Sequence, residues 1–201
     1  SVRLAAQNLF WEEKGAFTGE ISGPMLRDAG CFHVIIGHSE RRQYFLETDA
    51  DVNKKVKAAL KFGLSPILCI GESLDDRERE ETMAKVSRQV EGSLEGIDAE
   101  AFRNIIVAYE PVWAIGTGKT ATPGQAEEVH AFIREKLAQR YGNDLATCAI
   151  ILYGGSVKPA NSYALLSERD IDGFLVGGAS LEAGSFIQIT KEAIRASKEK
   201  K

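Results

Sequence analysis

The stretch IIVAYEPVWA, residues 105–114, joins a short apolar run to a carboxylic acid and a proline. Its first five residues form an almost uninterrupted hydrophobic segment, which is typical of a strand that is buried on both faces of a parallel sheet. Glu110 stands where that strand would end, and Pro111 makes the exit from it rigid. Polar or glycine-rich residues follow nearly every such apolar run along the chain.

Similar apolar runs occupy residues 2–6, 33–37, 66–70, 149–153 and 173–176. Helical patterns lie between them, and Thr122-Pro123-Gly124-Gln125 has the spacing of a capping box with proline at the first helical position. Strand and helix therefore alternate, which predicts an α/β domain with a parallel sheet. Two architectures remain open, a doubly wound sheet and a (β/α) barrel. No G-x-G-x-x-G fingerprint follows a strand directly, which weakens a dinucleotide-binding interpretation.

The composition argues against nucleic-acid and membrane partners. The 201 residues include 25 Lys and Arg against 29 Asp and Glu, well mixed, for a net charge of −4. This balance predicts no nucleic-acid partner. No apolar run approaches the roughly 20 residues that a membrane span needs, so we expect no membrane partner.

Three cysteines, Cys31, Cys69 and Cys148, lie far apart and form no C-x-x-C pair. Neither a structural zinc site nor a disulfide framework is predicted, and no metal ligand is assigned. Cys69 and Cys148 lie in apolar, strand-like runs, so both are predicted to be buried and unreactive. A reducing compartment fits this cysteine usage, and we expect the cytoplasm.

Glycines follow the last two predicted strands, at Gly154, Gly155, Gly177 and Gly178. Such positions let backbone N–H groups approach a phosphate, although they also simply make tight turns. In eight-stranded barrels the loops after strands seven and eight often bind phosphate. If these are those loops, the six strands are the third to the eighth. A barrel of this type takes about 250 residues, so residues 1–201 would be a single domain that is incomplete at its N-terminus.

His38 follows a strand and precedes a short helical pattern. The positive end of a helix disfavours a second proton on imidazole, so a neutral ring there can donate a hydrogen bond to a carbonyl or enolate oxygen. A purely structural histidine is the alternative. His33 and His130 have no such setting, and both are interpreted as structural or surface residues.

Glu110 has the setting of a general base, since a carboxylate at a strand end faces the mouth of the sheet. Residues 112–121 combine Trp113 and Ile115 with glycines, which predicts a lid that closes over a ligand; a static packed loop is the alternative. Glu72 would be either a second carboxylate at this mouth or, as we expect, the partner of a nearby arginine such as Arg41 or Arg42. Glu40 would either assist proton transfer or form a structural pair.

These motifs resemble the triosephosphate isomerase family, and the resemblance runs from Val2 to about Ile194. The residues that carry it are GAFTGEIS at 15–22, GHSERR at 37–42, AYEPVWAIGTGKTA at 108–121, YGGSV at 153–157 and GFLVGGASL at 173–181. The segment around Glu110 is the longest and most specific.

The resemblance implies a (β/α)8 TIM barrel with strands three to eight in this chain. The implied enzyme of glycolysis and gluconeogenesis interconverts dihydroxyacetone phosphate and D-glyceraldehyde 3-phosphate without a cofactor. Glu110 would move the proton and neutral His38 would polarise the carbonyl, with residues 112–121 as the mobile lid. By motif position Gly116, Ser156, Gly177 and Gly178 would bind the substrate phosphate, and Ser39 and Glu40 would be auxiliary.

The resemblance also implies a homodimer through the long connection of residues 7–22, from Gln7 to Ser22, with Thr18 at its tip. One departure concerns an Asn-x-Lys motif that the family carries on its first strand, since no predicted strand of this chain has it. We therefore expect the first two strand–helix units to be absent here. The alternative to an isomerase is an inactive fragment of that enzyme that serves only folding or assembly.

Overall fold

The computed structural model describes residues 2–115 and 120–200. Within them lie six strands: β1 (Ala5–Ala6), β2 (His33–Ile36), β3 (Ser65–Ile70), β4 (Ile106–Tyr109), β5 (Ile151–Tyr153) and β6 (Gly173–Phe174). The helices are α1 (Gly23–Asp28), α2 (Ser39–Tyr44), α3 (Asp49–Lys61), α4 (Leu74–Glu78), α5 (Thr82–Ser93), α6 (Ala99–Phe102), α7 (Pro123–Tyr141), α8 (Asn143–Cys148), α9 (Pro159–Leu166) and α10 (Ala183–Glu199). Two 3₁₀ turns, Val112–Ala114 and Gly178–Ser180, follow β4 and β6.

The strands are ordered β1-β2-β3-β4-β5-β6 in one sheet. The register is parallel where β1 meets β2, β2 meets β3 and β5 meets β6, with Ile36 opposite Leu68 and Leu152 opposite Gly173. A doubly wound sheet reverses its strand order at a switch point, whereas a barrel keeps sequential strands adjacent. The observed order therefore excludes the doubly wound alternative and matches a TIM-type α/β fold.

All six predicted strands are present, but several are shorter than the apolar runs. The run at residues 149–153 yields a strand only from Ile151, because α8 extends to Cys148 and Ala149 follows it as the C-cap. Cys148 is therefore exposed, and the prediction that it is buried is wrong, whereas Cys69 is buried as predicted. The capping box predicted at Thr122 is confirmed, since its hydroxyl accepts from the Gln125 N–H and the Gln125 side chain accepts from the Thr122 N–H.

The chain divides into two compact units. Unit 1 comprises Ser1–Ile70 and Arg88–Val107. Its core is formed by fully buried aliphatic side chains that include Val34, Ile36, Val56 and Leu68. Asn53 of α3 is buried among them, and its amide donates to the carbonyls of Ser93 and Glu95 at 2.9 Å each. These two bonds satisfy the carbonyl of Ser93, the last residue of α5, and that of Glu95 just beyond the helix.

Unit 2 comprises Gly71–Ser87 and Ala108–Lys201. Its core combines aliphatic side chains such as Ile133 and Leu137 with the two buried tyrosines Tyr109 and Tyr153. Arg134 of α7 donates to Asp170 at 2.5 Å and to Asp172 at 2.8 Å, which ties α7 to the segment before β6. Among the helices of the described residues, none is both long and apolar enough to cross a bilayer.

Candidate active site

Glu110 directly follows β4 in unit 2 and is 2% exposed. The backbone packs closely around it on both sides. A methyl group added at Gly71 would lie 1.7 Å from the carbonyl oxygen of Glu110, so no side chain fits at that position. On the β5 side, the N–H of Gly154 donates to the carbonyl of Tyr109 at 2.7 Å. The predicted place of Glu110 at a strand end is confirmed.

Glu72 is a second carboxylate of unit 2, and its side chain is completely buried. It accepts hydrogen bonds from Trp113 Nε1 at 2.8 Å and from the Tyr109 hydroxyl at 3.1 Å. The Arg77 guanidinium donates to it at 3.3 Å. Burial raises the pKa of Glu72, and the bonds from Trp113 and Tyr109 and the charge of Arg77 oppose that rise.

The predicted salt bridge between Glu72 and a nearby arginine is confirmed, but the partner is Arg77 and not Arg41 or Arg42. Arg77 lies in α4, which begins just after Glu72, so the helix returns its guanidinium to the carboxylate. Arg41 instead pairs with Glu47, and Arg42 pairs with Asp49 at 2.6 Å.

The start of the predicted lid is attached to the same carboxylate. Trp113 lies in the 3₁₀ turn and is 9% exposed, as expected for a tryptophan in a segment that packs. The Val112 N–H donates to the backbone carbonyl of Glu72 at 3.1 Å, and the Arg77 guanidinium lies 4.6 Å from the Trp113 ring centre. Residues 116–119 of the predicted lid, Gly116 among them, lie outside the described residues.

The rings of His130, Tyr109 and Tyr153 form a cluster in unit 2. His130 of α7 is fully buried, 5.6 Å from the Tyr109 ring and 6.3 Å from the Tyr153 ring. Its Nδ1 lies 3.2 Å from the Asp170 carbonyl, which can only accept, so Nδ1 carries the proton. Burial lowers the pKa of His130 to about 3 and raises the pKa of Tyr153 to about 12. The sequence interpretation of His130 as structural fits this position.

His38 lies in unit 1 and is the N-cap of α2. Its Nδ1 accepts from the Glu40 N–H at 3.3 Å, which requires an unprotonated Nδ1 and places the ring proton on Nε2. The Glu40 carboxylate lies 3.9 Å from Nδ1 and is 66% exposed. Ser39, the first residue of α2, is buried. The geometry is that of a neutral imidazole with an Nε2–H donor.

The remaining predicted site residues follow β5 and β6 in unit 2. Ser156 is half-buried, and its carbonyl accepts from the Asn161 side chain at 2.9 Å. Gly177 and Gly178 are exposed, and a methyl group added at either would meet no atom of residues 2–115 or 120–200 within 4 Å. The space beside both α-carbons is therefore free of atoms of the described residues. In the part of the chain that the structure describes, no cluster of three or more His, Cys, Asp or Glu side chains could hold a metal ion.

Sequence reasoning did not identify Arg77, Tyr109 or Tyr153 as neighbours of the site. The first had a usable signal, because Ser73 and Asp76 have capping-box spacing and place Arg77 in the opening turns of a helix that starts beside Glu72. Nothing in the sequence identified Tyr109 and Tyr153 as neighbours of the site, since an apolar strand that ends in an aromatic residue is typical of any core.

Comparison with known proteins identifies a matching family model and several similar proteins. The family model described as triosephosphate isomerase matches residues 1–193. The triosephosphate isomerase of Trichlorobacter lovleyi is 60% identical over 190 residues, which cover 94% of this chain and 76% of that protein. Those of Citrifermentans bemidjiense and Moorella thermoacetica are 60% and 59% identical, again over 94% of this chain and 76% of their own length. The chain belongs to the triosephosphate isomerase family.

Proposed function

We propose that this protein is an isomerase that interconverts dihydroxyacetone phosphate and D-glyceraldehyde 3-phosphate through an enediolate. The observation that carries the proposal is Glu110, a carboxylate 2% exposed at the end of β4, inside the region that the family model matches. A base removed from bulk water is what abstraction of a weakly acidic C–H proton requires.

In the proposed mechanism Glu110 is the base. It takes a proton from the carbon beside the carbonyl, the C–H electron pair forms the carbon–carbon double bond, and the carbonyl oxygen becomes the enediolate oxygen. The hydroxyl proton then passes from one enediolate oxygen to the other, and His38 is proposed to carry it. Return of the abstracted proton from Glu110 to the neighbouring carbon yields the other triose phosphate. No electrons are gained or lost overall, so the reaction needs no redox partner.

His38 is proposed as the electrophile of the same reaction. Its support is the N-cap geometry, in which Nδ1 accepts from the Glu40 N–H and leaves Nε2–H to donate. A donor aimed at an oxygen that gains charge in the transition state lowers the barrier by about 3–4 kcal/mol. Ser39 and Glu40 are proposed as auxiliary residues at the start of α2.

The substrate phosphate is proposed to bind the backbone at Gly116, Ser156, Gly177 and Gly178. The open surroundings of the last two support this assignment. Since the phosphate loops of a barrel follow its seventh and eighth strands, β5 and β6 are proposed to be those strands of a (β/α)8 barrel.

Residues 112–121 are proposed to form the lid that closes over the substrate. The attachment of Val112 and Trp113 to Glu72 supports a fixed hinge at one end of this segment. A closed lid keeps water from the enediolate and prevents loss of its phosphate. For the cell, we propose a cytoplasmic role in glycolysis and gluconeogenesis.

A homodimer is proposed through residues 7–22. In unit 1 this connection exposes Phe17 and Ile21, which are 42% and 50% accessible. Lys55 of α3 donates to Asn8 at 2.7 Å, so the connection is anchored at its base. To test the interface, sedimentation of Ile21→Asp is compared with Ile150→Asp, since Ile150 is 46% exposed in unit 2. We expect a dimer for the parent and for Ile150→Asp, and a monomer for Ile21→Asp.

The catalytic proposal is tested on the intact protein with both triose phosphates as substrates. Glu110→Asp withdraws the carboxylate by about 1 Å and should lower kcat about 100-fold or more. Its unfolding midpoint should stay near that of the parent. Glu128→Asp, on the exposed face of α7, is the matched control and should keep parental turnover. An intact protein without isomerase turnover would overturn the function, and an unaffected Glu110→Asp would overturn the base assignment.

A further inference from the structure

Arg42 uses every nitrogen of its guanidinium around the loop that carries His38. Nε donates to the carbonyl of Gly37 at 2.8 Å, and one Nη donates to the carbonyl of Cys69 at 3.3 Å. The other Nη donates to the Asp49 carboxylate at 2.6 Å. The side chain is 17% exposed, so these bonds are largely shielded from water. Arg42 thus joins the end of β2, the end of β3 and the start of α3.

The reach of Arg42 follows from its place in α2. Side chains of a helix lean toward its N-terminus, and Arg42 is the fourth residue of a helix that His38 caps. The guanidinium therefore returns to the turn between β2 and α2. Asp49, the first residue of α3, meets it from the other side and fixes its orientation.

The loop has little room to rearrange. Gly37 has a φ of +73°, a left-handed conformation that disfavours any residue with a side chain. A methyl group there would lie 2.9 Å from Val52 Cγ2, 3.1 Å from Arg42 Nη2 and 3.2 Å from the Cys69 carbonyl oxygen. The carbonyl that Arg42 holds is thus confined by packing as well as by hydrogen bonds.

That carbonyl belongs to the peptide unit that joins Gly37 to His38. Peptide units are planar, so fixing the carbonyl of Gly37 fixes the N–H and Cα of His38 with it. The Glu40 N–H then fixes the ring through Nδ1 at 3.3 Å. The position of the imidazole is consequently fixed in two ways. Arg42 holds the backbone of His38, and the Glu40 N–H at the start of α2 holds the ring at Nδ1.

We propose that Arg42 is a positioning residue for the His38 imidazole, with Asp49 holding Arg42 in place. This inference rests on the proposed function, in which Nε2–H of His38 donates to the substrate oxygens. A misplacement of about 1 Å at such a donor costs about 100-fold in rate. Arg42 acts through the peptide before His38 and touches no reacting atom itself.

The test compares Arg42→Ala with Arg27→Ala in the intact protein. Arg27 is the matched control, because its guanidinium also donates to a backbone carbonyl, that of Cys31 at 3.0 Å, but at the opposite end of β2. We expect ¹⁵N spectra of the parent to show His38 as one neutral Nε2–H tautomer. In Arg42→Ala the ring should populate both tautomers, and kcat should fall about 10- to 100-fold with KM within about threefold. Ethylguanidinium added to Arg42→Ala should restore the single tautomer and most of the turnover.

Arg27→Ala should leave the tautomer and kcat at parental values. If Arg42→Ala does not fold, Asp49→Asn, which loosens the guanidinium without removing it, should produce the same spectral change to a smaller degree. An unchanged His38 spectrum with a lowered unfolding midpoint would overturn the proposal and leave Arg42 a structural residue. A changed spectrum in a protein whose parent lacks isomerase turnover would overturn the proposed function and leave the positioning role intact.

Discussion

The indole Nε1 of Trp113 donates a 2.8 Å hydrogen bond to Glu72, a fully buried carboxylate 41 residues earlier in the chain. Glu72 is thereby joined, within unit 2, to the turn that follows Glu110. A buried carboxylate needs hydrogen-bond donors to remain charged. This bond therefore stabilises the charged form of Glu72 and also gives the indole N–H of Trp113 a partner.

Trp113→Phe removes that donor and keeps most of the apolar contact. We expect a loss of about 1–3 kcal/mol in the free energy of unfolding at pH 7. The loss should shrink as the pH falls, because burial raises the pKa of Glu72 and a protonated carboxyl needs fewer donors. Urea denaturation over a pH series measures both effects. Trp11→Phe, in unit 1, is the control; an equal loss at every pH would contradict the role of Glu72.

His38→Gln tests the electrophile. The amide is uncharged and of similar length, but it lacks the ring geometry that directs Nε2–H. We expect kcat to fall about 100-fold, since loss of one such donor costs this much. Inhibition by inorganic phosphate should persist, because the glycine backbone that is proposed to hold it is intact. Unchanged turnover would remove His38 from the mechanism.

Deletion of residues 115–119 tests the lid. An enediolate that is exposed to water expels its phosphate, so the ratio of inorganic phosphate released to substrate isomerised should rise about 10-fold or more. Colorimetric phosphate assay beside the isomerase assay gives the ratio, and circular dichroism verifies the fold. A ratio equal to that of the parent would show that this segment does not protect the intermediate.

We expect the buried His130 to make the free energy of unfolding sensitive to acid. Its pKa is about 3 in the folded protein against 6.5 in an unfolded chain, so between these values the unfolded chain binds more protons. The stability that neutral His130 contributes is complete above pH 6.5 and is lost as the pH falls toward 3. By pH 4 the loss should be about 3 kcal/mol. In His130→Gln the unfolding midpoint should vary less with pH over this window, and an identical pH profile would refute the assignment.

Local patterns were sufficient for the order of the elements and for the places where the apolar strands end. The run before Glu110 became β4, and Thr122 and Gln125 formed the predicted capping box, because neighbouring residues determine both features. His38 also precedes a helix as predicted.

Tertiary pairing was not predictable in the same way. Several arginines in the sequence could pair with Glu72. Only the fold shows that the partner is Arg77, because α4 places its guanidinium next to the Glu72 carboxylate. Strand length depends similarly on the neighbour: β1 is limited to Ala5–Ala6, where it pairs with His33 and Val34 of β2. Cys148 was misplaced because an apolar environment in sequence gave no sign that α8 would end there.

The 1.7 Å approach between a methyl group at position 71 and the Glu110 carbonyl has a consequence for engineering. A saturation library at codon 71, selected for growth on a carbon source that requires the isomerase, should return glycine alone. Substitutions in this part of unit 2 are therefore better directed to Trp113 and Tyr109, whose side chains donate to the Glu72 carboxylate without this backbone collision.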